Sequence, residues 1–172
     1  MPRRICLLSD THGYLDDRIL QFAKGSDEIW HAGDFGDMNV SDRLAALRPL
    51  RGVYGNIDGH TLRTVHPEHL FFEIEKVKIL MIHIAGPFGK YVPGVRELLD
   101  RLKPDVLVCG HSHILKVQLD EKRKMLYVNP GAAGVQGFHA FRTLLLFTVS
   151  GDRLTDLQVV ELGKRGALPA AH

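Results

Sequence analysis

Seven residues in this chain carry donor atoms that could act together: Asp10, His12, Asp34, Asn56, His83, His111 and His113. They combine imidazole nitrogen with carboxylate and amide oxygen, and no thiolate is among them. That mixture suits borderline divalent ions such as manganese, iron or zinc, and not an all-oxygen magnesium or calcium site. Seven donors exceed the four of one tetrahedral site, but they would serve two adjacent ions if one carboxylate bridged them. Asp34, an anion at a tight Gly33-Asp34 turn, is the natural bridge.

The positions of these donors follow one rule. Ile5-Cys6-Leu7-Leu8 reads as a short buried strand, and it stops at Ser9-Asp10-Thr11-His12-Gly13. Alternate residues of a strand share a face, so Asp10 and His12 point the same way if the extended geometry persists. The arrangement then returns four times. Ile29-Trp30-His31-Ala32 runs into Gly33-Asp34, Val53-Tyr54 into Gly55-Asn56, Ile79-Leu80-Met81-Ile82 into His83, and Val106-Leu107-Val108-Cys109 into Gly110-His111-Ser112-His113. A lone Asp at a strand end is usually a cap or turn residue. Five apolar runs that each deliver Asp, Asn or His are better explained by a site at the carboxyl ends of strands, where α/β sheets bind ligands.

The elements that must hold these ends apart and together read as follows. Asp16 or Asp17 caps a helix through Lys24, and a second helix from about Asn39 to Leu47 ends before Pro49. With strands at Glu28–Ala32 and Leu50–Tyr54, this is a β-α-β-α-β opening, which favours a parallel sheet. Phe71–Glu75 and Val77–His83 read as a hairpin, and Val95, Leu98, Leu99 and Leu102 mark a helix closed by Pro104. The remainder reads as strands: Val106–Cys109, Ile114–Leu119, Met125–Asn129, Thr143–Val149 and Leu154–Glu161. So many strands with few helices predict an α/β (α+β) fold of two mixed sheets packed as a sandwich, helices outside. Residues 1–172 read as one domain with a loosely ordered tail after about residue 163.

Composition excludes several classes. The net charge is +2 with no basic block or stripe, so nucleic acid is not an indicated partner. The apolar run behind Met-Pro-Arg-Arg is too short for a signal peptide, and no stretch approaches the roughly 20 apolar residues of a membrane span. A cytoplasmic location is therefore expected, and nothing in the sequence indicates a homo-oligomer. Cys6 and Cys109 both fall inside expected buried strands and read as inert core thiols.

Taken in order, Asp10-Thr11-His12-Gly13, Gly33-Asp34, Gly55-Asn56-x-Asp58, His83 and Gly110-His111-Ser112-His113 resemble the calcineurin-like metallophosphoesterases. Asn129-Pro130-Gly131 resembles in particular their small, YfcE-like phosphodiesterase branch. The resemblance covers roughly residues 4 to 150 and implies a four-layer αββα sandwich. It implies two divalent ions per chain, manganese first, with iron, zinc or nickel as alternatives. One would take Asp10, His12, Asp34 and His113, the other Asp34, Asn56, His83 and His111. The implied chemistry is attack on a small phosphodiester by a hydroxide bridging ions roughly 3.5–4 Å apart. Asn56 is both a ligand and the nearest group to the phosphate, and Asp58 holds that loop. His31 is either a hydrogen-bond partner that orients a ligand or a satisfied core residue. His60, His66, His69 and His139 read as surface or loop residues, with the cleft border as the alternative for His139.

Two departures bear on the chemistry. Larger members of the family carry histidine after the Gly-Asn, where this chain has Ile57, so no general acid stands there. His83 is followed by Ile84 where the family often has glycine. A protein-binding scaffold on the same fold, like the retromer subunit that resembles this family, is the alternative function. A scaffold has no chemical need of an intact donor set. A metal hydrolase of non-phosphate esters fits the matched motifs less well.

Overall fold

Apolar residues on both faces of β1 (Arg3–Leu8) decide the architecture: Ile5, Cys6, Leu7 and Leu8 are all buried. Since successive side chains point to opposite faces, β1 must be covered on both sides. The computed structural model, which describes residues 1–166, shows how. Ile5 and Leu7 enter a core that also holds Ile79, Met81, Val108 and Val128 of a second sheet. Cys6 and Leu8 enter a separate core beneath helices α1 (Asp17–Lys24) and α2 (Met38–Ala45), through Ile19, Ala23, Val40 and Leu44. Burial pushes both the Cys6 and the Cys109 thiol up to about 12, as inert core thiols require.

In the first sheet, β1 lies beside β2 (Glu28–His31), and β2 beside β3 (Leu50–Gly52), all parallel. The long β9 (Phe141–Ser150) pairs antiparallel with β1, and β10 (Arg153–Lys164) with β9. The second sheet has the order β4 (His69–Ile74), β5 (Val77–Ile82), β6 (Val106–Val108), β8 (Met125–Pro130), β7 (Leu115–Asp120). Its three central strands, β5, β6 and β8, are parallel. Helix α4 (Pro93–Leu102) covers the outer face through Val95 and Leu99, against Leu80 and Leu107. The result is the expected sandwich of two mixed sheets with helices outside. The described residues contain no helix long and apolar enough to cross a membrane.

One expectation needs correction, and one helix lies where none was expected. Helix α3 (His60–Val65) was not legible, because it is six residues long and buries only Leu62. His66, expected at the surface or in a loop, follows that helix but is buried, stacked on Phe35 with ring centroids 4.5 Å apart and bonded to Ser41 Oγ at 2.8 Å. β10 runs on to Lys164, and residues 167–172, on which most of the tail expected to be loosely ordered falls, lie outside the described part.

Trp30 joins the two sheets. It is fully buried, and its ring meets Phe72 of the second sheet edge-on at 5.1 Å and Phe147 of the first at 5.5 Å. Trp30→Ala should therefore cost about 3–5 kcal/mol, read as a lower urea midpoint; a loss under about 1 kcal/mol would show that the inter-sheet core does not depend on this ring.

Candidate metal centre

The parallel strands of both sheets deliver their C-terminal ends to one side of the sandwich, and backbone hydrogen bonds lock those ends together. Asp10 N donates to Gly33 O at 2.9 Å, Gly110 N to His83 O at 3.0 Å, and Ala133 N to Ser9 O at 2.9 Å. The structure gathers all seven sequence-selected donors there, though not by the expected route. The extended geometry of β1 does not persist through Asp10 and His12. Both are left-handed (φ 53° and 46°), as are Asp34, His111 and His113. Such φ values are uncommon outside glycine, with Asp and His among the residues that tolerate them better.

Two close approaches demand glycine. A Cβ on Gly33, itself at φ 102°, would lie 2.6 Å from the His83 ring. One on Gly55 would collide with the Asp34 carboxylate and backbone nitrogen. These glycines let the Asp34 turn sit directly against His83 and the Asn56 loop.

The donors form two groups, Asp10 with His12 and His113, and Asp34 with His83 and His111, the ligand atoms of each lying within 4.8 Å of one another. Asp34 Oδ2 links them, 3.4 Å from His12 Nε2 and 3.2 Å from His83 Nε2. Asp10 Oδ1 lies 3.1 Å from His113 Nε2 and 3.8 Å from the Nε2 atoms of His12 and His83. Asn56 Oδ1 sits 3.1 Å from His83 Nε2 and 3.0 Å from His111 Nδ1.

Tautomers follow from the partners. A carbonyl only accepts, so His83 Nδ1–H donates to Ala32 O at 2.7 Å, which turns a lone pair on Nε2 toward Asp34 and Asn56. His139 Nε2–H donates likewise to Gly134 O at 2.9 Å, and its Nδ1 accepts from His113 Nδ1–H at 3.2 Å. The His113 lone pair is thereby aimed from Nε2 at Asp10. Lone pairs facing carboxylate oxygens are stable only with a cation or proton between them. Asp10 Oδ1 and His12 Nε2 are buried without a hydrogen-bond partner among the described residues. The donor set thus fits divalent metal.

Electrostatics agree with that geometry. Burial raises the Asp10 carboxyl, but His113, His12, His83 and Ser9 outweigh it and hold the group far below the usual carboxylate range. Asp34 is likewise held low against its burial by His12, His83 and the Ile57 N–H. The Asp10 and Asp34 carboxylates push His12 up to about 9. His83 is raised too, its desolvation overcome by the same two anions.

Supporting residues shape the loops. Asp58 is buried and accepts from Phe35 N at 3.2 Å, Gly36 N at 2.8 Å and Gly55 N at 2.8 Å, tying the Asp34 turn to the Asn56 turn. His31 makes no hydrogen bond to a donor side chain among the described residues. Its Nδ1 accepts from Gly33 N at 3.1 Å, so Nε2–H donates to Thr11 Oγ1 at 3.0 Å, and Thr11 donates on to Phe35 O at 3.1 Å. Sequence reasoning missed the role of Asn129. Its NH2 donates to Gly110 O at 3.1 Å and Ser112 Oγ at 3.0 Å, which clamps the turn holding His111 and His113. Only its Pro-Gly neighbours marked it. His139 lies against His113, on the side of the cleft-border alternative and not of the surface reading.

Two outcomes test this framework. Asp58→Ala leaves three backbone donors without their acceptor and should cost about 3 kcal/mol or more in urea unfolding. An unchanged midpoint would mean that the turns are held otherwise. Burial pulls His31 down to about 3, so the folded protein stays unprotonated there while the unfolded chain takes up a proton below about 6.5. The unfolded state then binds more protons, and stability falls as pH drops through that window, by about 1.4 kcal/mol per pH unit. The stability advantage of wild type over His31→Gln should therefore shrink by about 2 kcal/mol from pH 6.5 to 5, the other histidines cancelling between the two proteins. A constant difference would refute the neutral, buried imidazole.

Comparison with known proteins places this geometry. Residues 4–152 match the family model of the calcineurin-like phosphoesterase superfamily domain. A probable metallophosphoesterase of Methanocaldococcus jannaschii is 34% identical over 140 residues, 76% of this chain and 68% of that protein. The solved structure of an archaeal phosphodiesterase superimposes with a TM-score of 0.70 at 20% identity, covering 92% of this chain and 99% of that one. Vacuolar protein sorting 29 from Cryptosporidium parvum does so with a TM-score of 0.72 at 20% identity, covering 95% and 99%. The chain belongs to the calcineurin-like phosphoesterase superfamily.

Proposed function

We propose that the protein hydrolyses phosphodiesters with two divalent ions, manganese first among them. Asp10, His12, Asp34 and His113 hold one ion, and Asp34, Asn56, His83 and His111 hold the other. The observation that carries the reading is the pair of buried, partnerless donors, Asp10 Oδ1 and His12 Nε2, beside an Asp34 oxygen placed between His12 and His83. A scaffold that holds no metal leaves those atoms unaccounted for.

Ions held there would supply charge neutralisation at the phosphoryl oxygens and an acidified water as nucleophile. The chain's own contribution is placement. Asp34 Oδ1 accepts from Ile57 N at 3.1 Å, which fixes the rotation of the carboxylate and leaves Oδ2 toward the histidines. Asn56 turns Oδ1 to His83 and His111, and its NH2 is the donor left to meet a phosphoryl oxygen. The Ile57 side chain is exposed and carries no proton, so a departing alkoxide gets no help from this position. Diesters with acidic leaving groups suit such a site better than alkyl monoesters.

Asp34→Asn keeps the shape and removes the shared charge. Metal analysis of the purified variant should show fewer ions per chain, and hydrolysis of bis(4-nitrophenyl) phosphate should fall at least ~100-fold, the upper end of what supporting groups alone contribute. Two ions per chain with near-wild-type turnover would end the bridging assignment.

A further inference from the structure

Beside the donors lies a cavity of about 370 Å³, and His111 belongs to both. Ile84, Phe88, Ile114 and Tyr127 supply its apolar wall. Two of these are out of place as ordinary surface residues. Ile84 is 37% exposed and Ile114 65%, neither belongs to any of the three buried cores, and each directly follows a donor, His83 or His113. The chain thus spends large apolar side chains at the rim of its most polar site. Phe88 and Tyr127 meet edge-to-face at 5.6 Å, which fixes the aromatic part of the wall. The Lys116 ammonium lies 5.3 Å from the Phe88 ring centroid and sets a cation beside the apolar wall.

Size and chemistry narrow the occupant. A cavity of about 150 Å³ lined by aliphatic and aromatic groups takes up one benzene, so this one has room for a substituted or fused ring. A short alkyl group would leave most of the wall wet. The ammonium beside the wall favours an aromatic ring over a saturated one of equal size, through attraction to the ring face.

We propose that this cavity is a subsite for one ester group of the substrate, and that the substrate is a phosphodiester bearing an aromatic, ring-sized alcohol or phenol. The inference rests on the phosphodiesterase reading above. Phosphate at the donors and a ring in the cavity are neighbours by construction, since His111 forms the border of both.

Phenylphosphonate and methylphosphonate test it without turnover, because their carbon–phosphorus bond survives the enzyme. Calorimetric titration of the manganese-loaded full chain should give at least about tenfold tighter binding of the phenyl compound, about 1.4 kcal/mol. Ile114→Asn, at an exposed position outside the donor set, should bring that ratio below about threefold, and Phe88→Ala should do the same. A wild-type ratio near one, or a ratio that survives in both variants, overturns the subsite. Hydrolysis of methyl 4-nitrophenyl phosphate reports separately on the phosphodiesterase reading. If that ester is turned over while the ratio stays near one, only the subsite fails. If it is not turned over but phenylphosphonate binds with the ratio and variant response described, the subsite stands and the reaction assignment falls. Neither binding nor turnover overturns both.

Discussion

A carboxylate oxygen removed from water and given no donor is one of the costlier things a protein can contain. Asp10 holds such an atom. Its Oδ2 accepts from Ser9 Oγ at 2.6 Å and His111 N at 3.1 Å, whereas Oδ1 faces only imidazole nitrogens. The anion persists because positive charge is kept around it, and the surrounding structure is arranged to that end. β1, the central strand of the first sheet, carries it to the carboxyl end of that sheet, and the His111 amide reaches it from the second. Two sheets that pack chiefly through apolar side chains are thereby joined at a charged centre.

That centre strains the backbone. Five of its seven donors occupy left-handed conformations, each costing of order 1–2 kcal/mol for an ordinary residue. Even discounted for the tolerance of Asp and His, the sum is a sizeable part of a typical domain's 5–15 kcal/mol. Such strain survives only where surroundings over-determine the conformation. Asp58 and Asn129 do this with two or three hydrogen bonds apiece to the turns, and the hydrophobic sandwich behind them holds the strand ends that the turns connect.

The parts legible in the sequence were those governed by simple periodicity. Apolar runs that stop at Asp, Asn or His gave the strands, the two-sheet architecture and the identity of every donor that the structure gathers. What escaped were features decided by three-dimensional context. Asp10 and His12 share a side because of two left-handed residues, not because of strand alternation, and no pattern of residue types announces that. α3 lacks an apolar stripe, so nothing in its six residues distinguished it from loop. His66 sits in a segment without periodicity and is buried, and His139, for which the cleft border was only the alternative reading, touches His113. Asn129 lies at the end of β8, and only the fold brings it under Gly110. Polar residues that act through hydrogen bonds to distant backbone leave no local trace.

The left-handed turns separate two properties that most active sites bind together. Asparagine is among the residues best tolerated in that conformation. It is also the near-isostere of the two aspartates that carry the charge. A lineage could therefore replace Asp10 or Asp34 by asparagine and abolish its chemistry while each turn kept its shape. Descent from hydrolase to inert architecture would then require no passage through an unfolded ancestor.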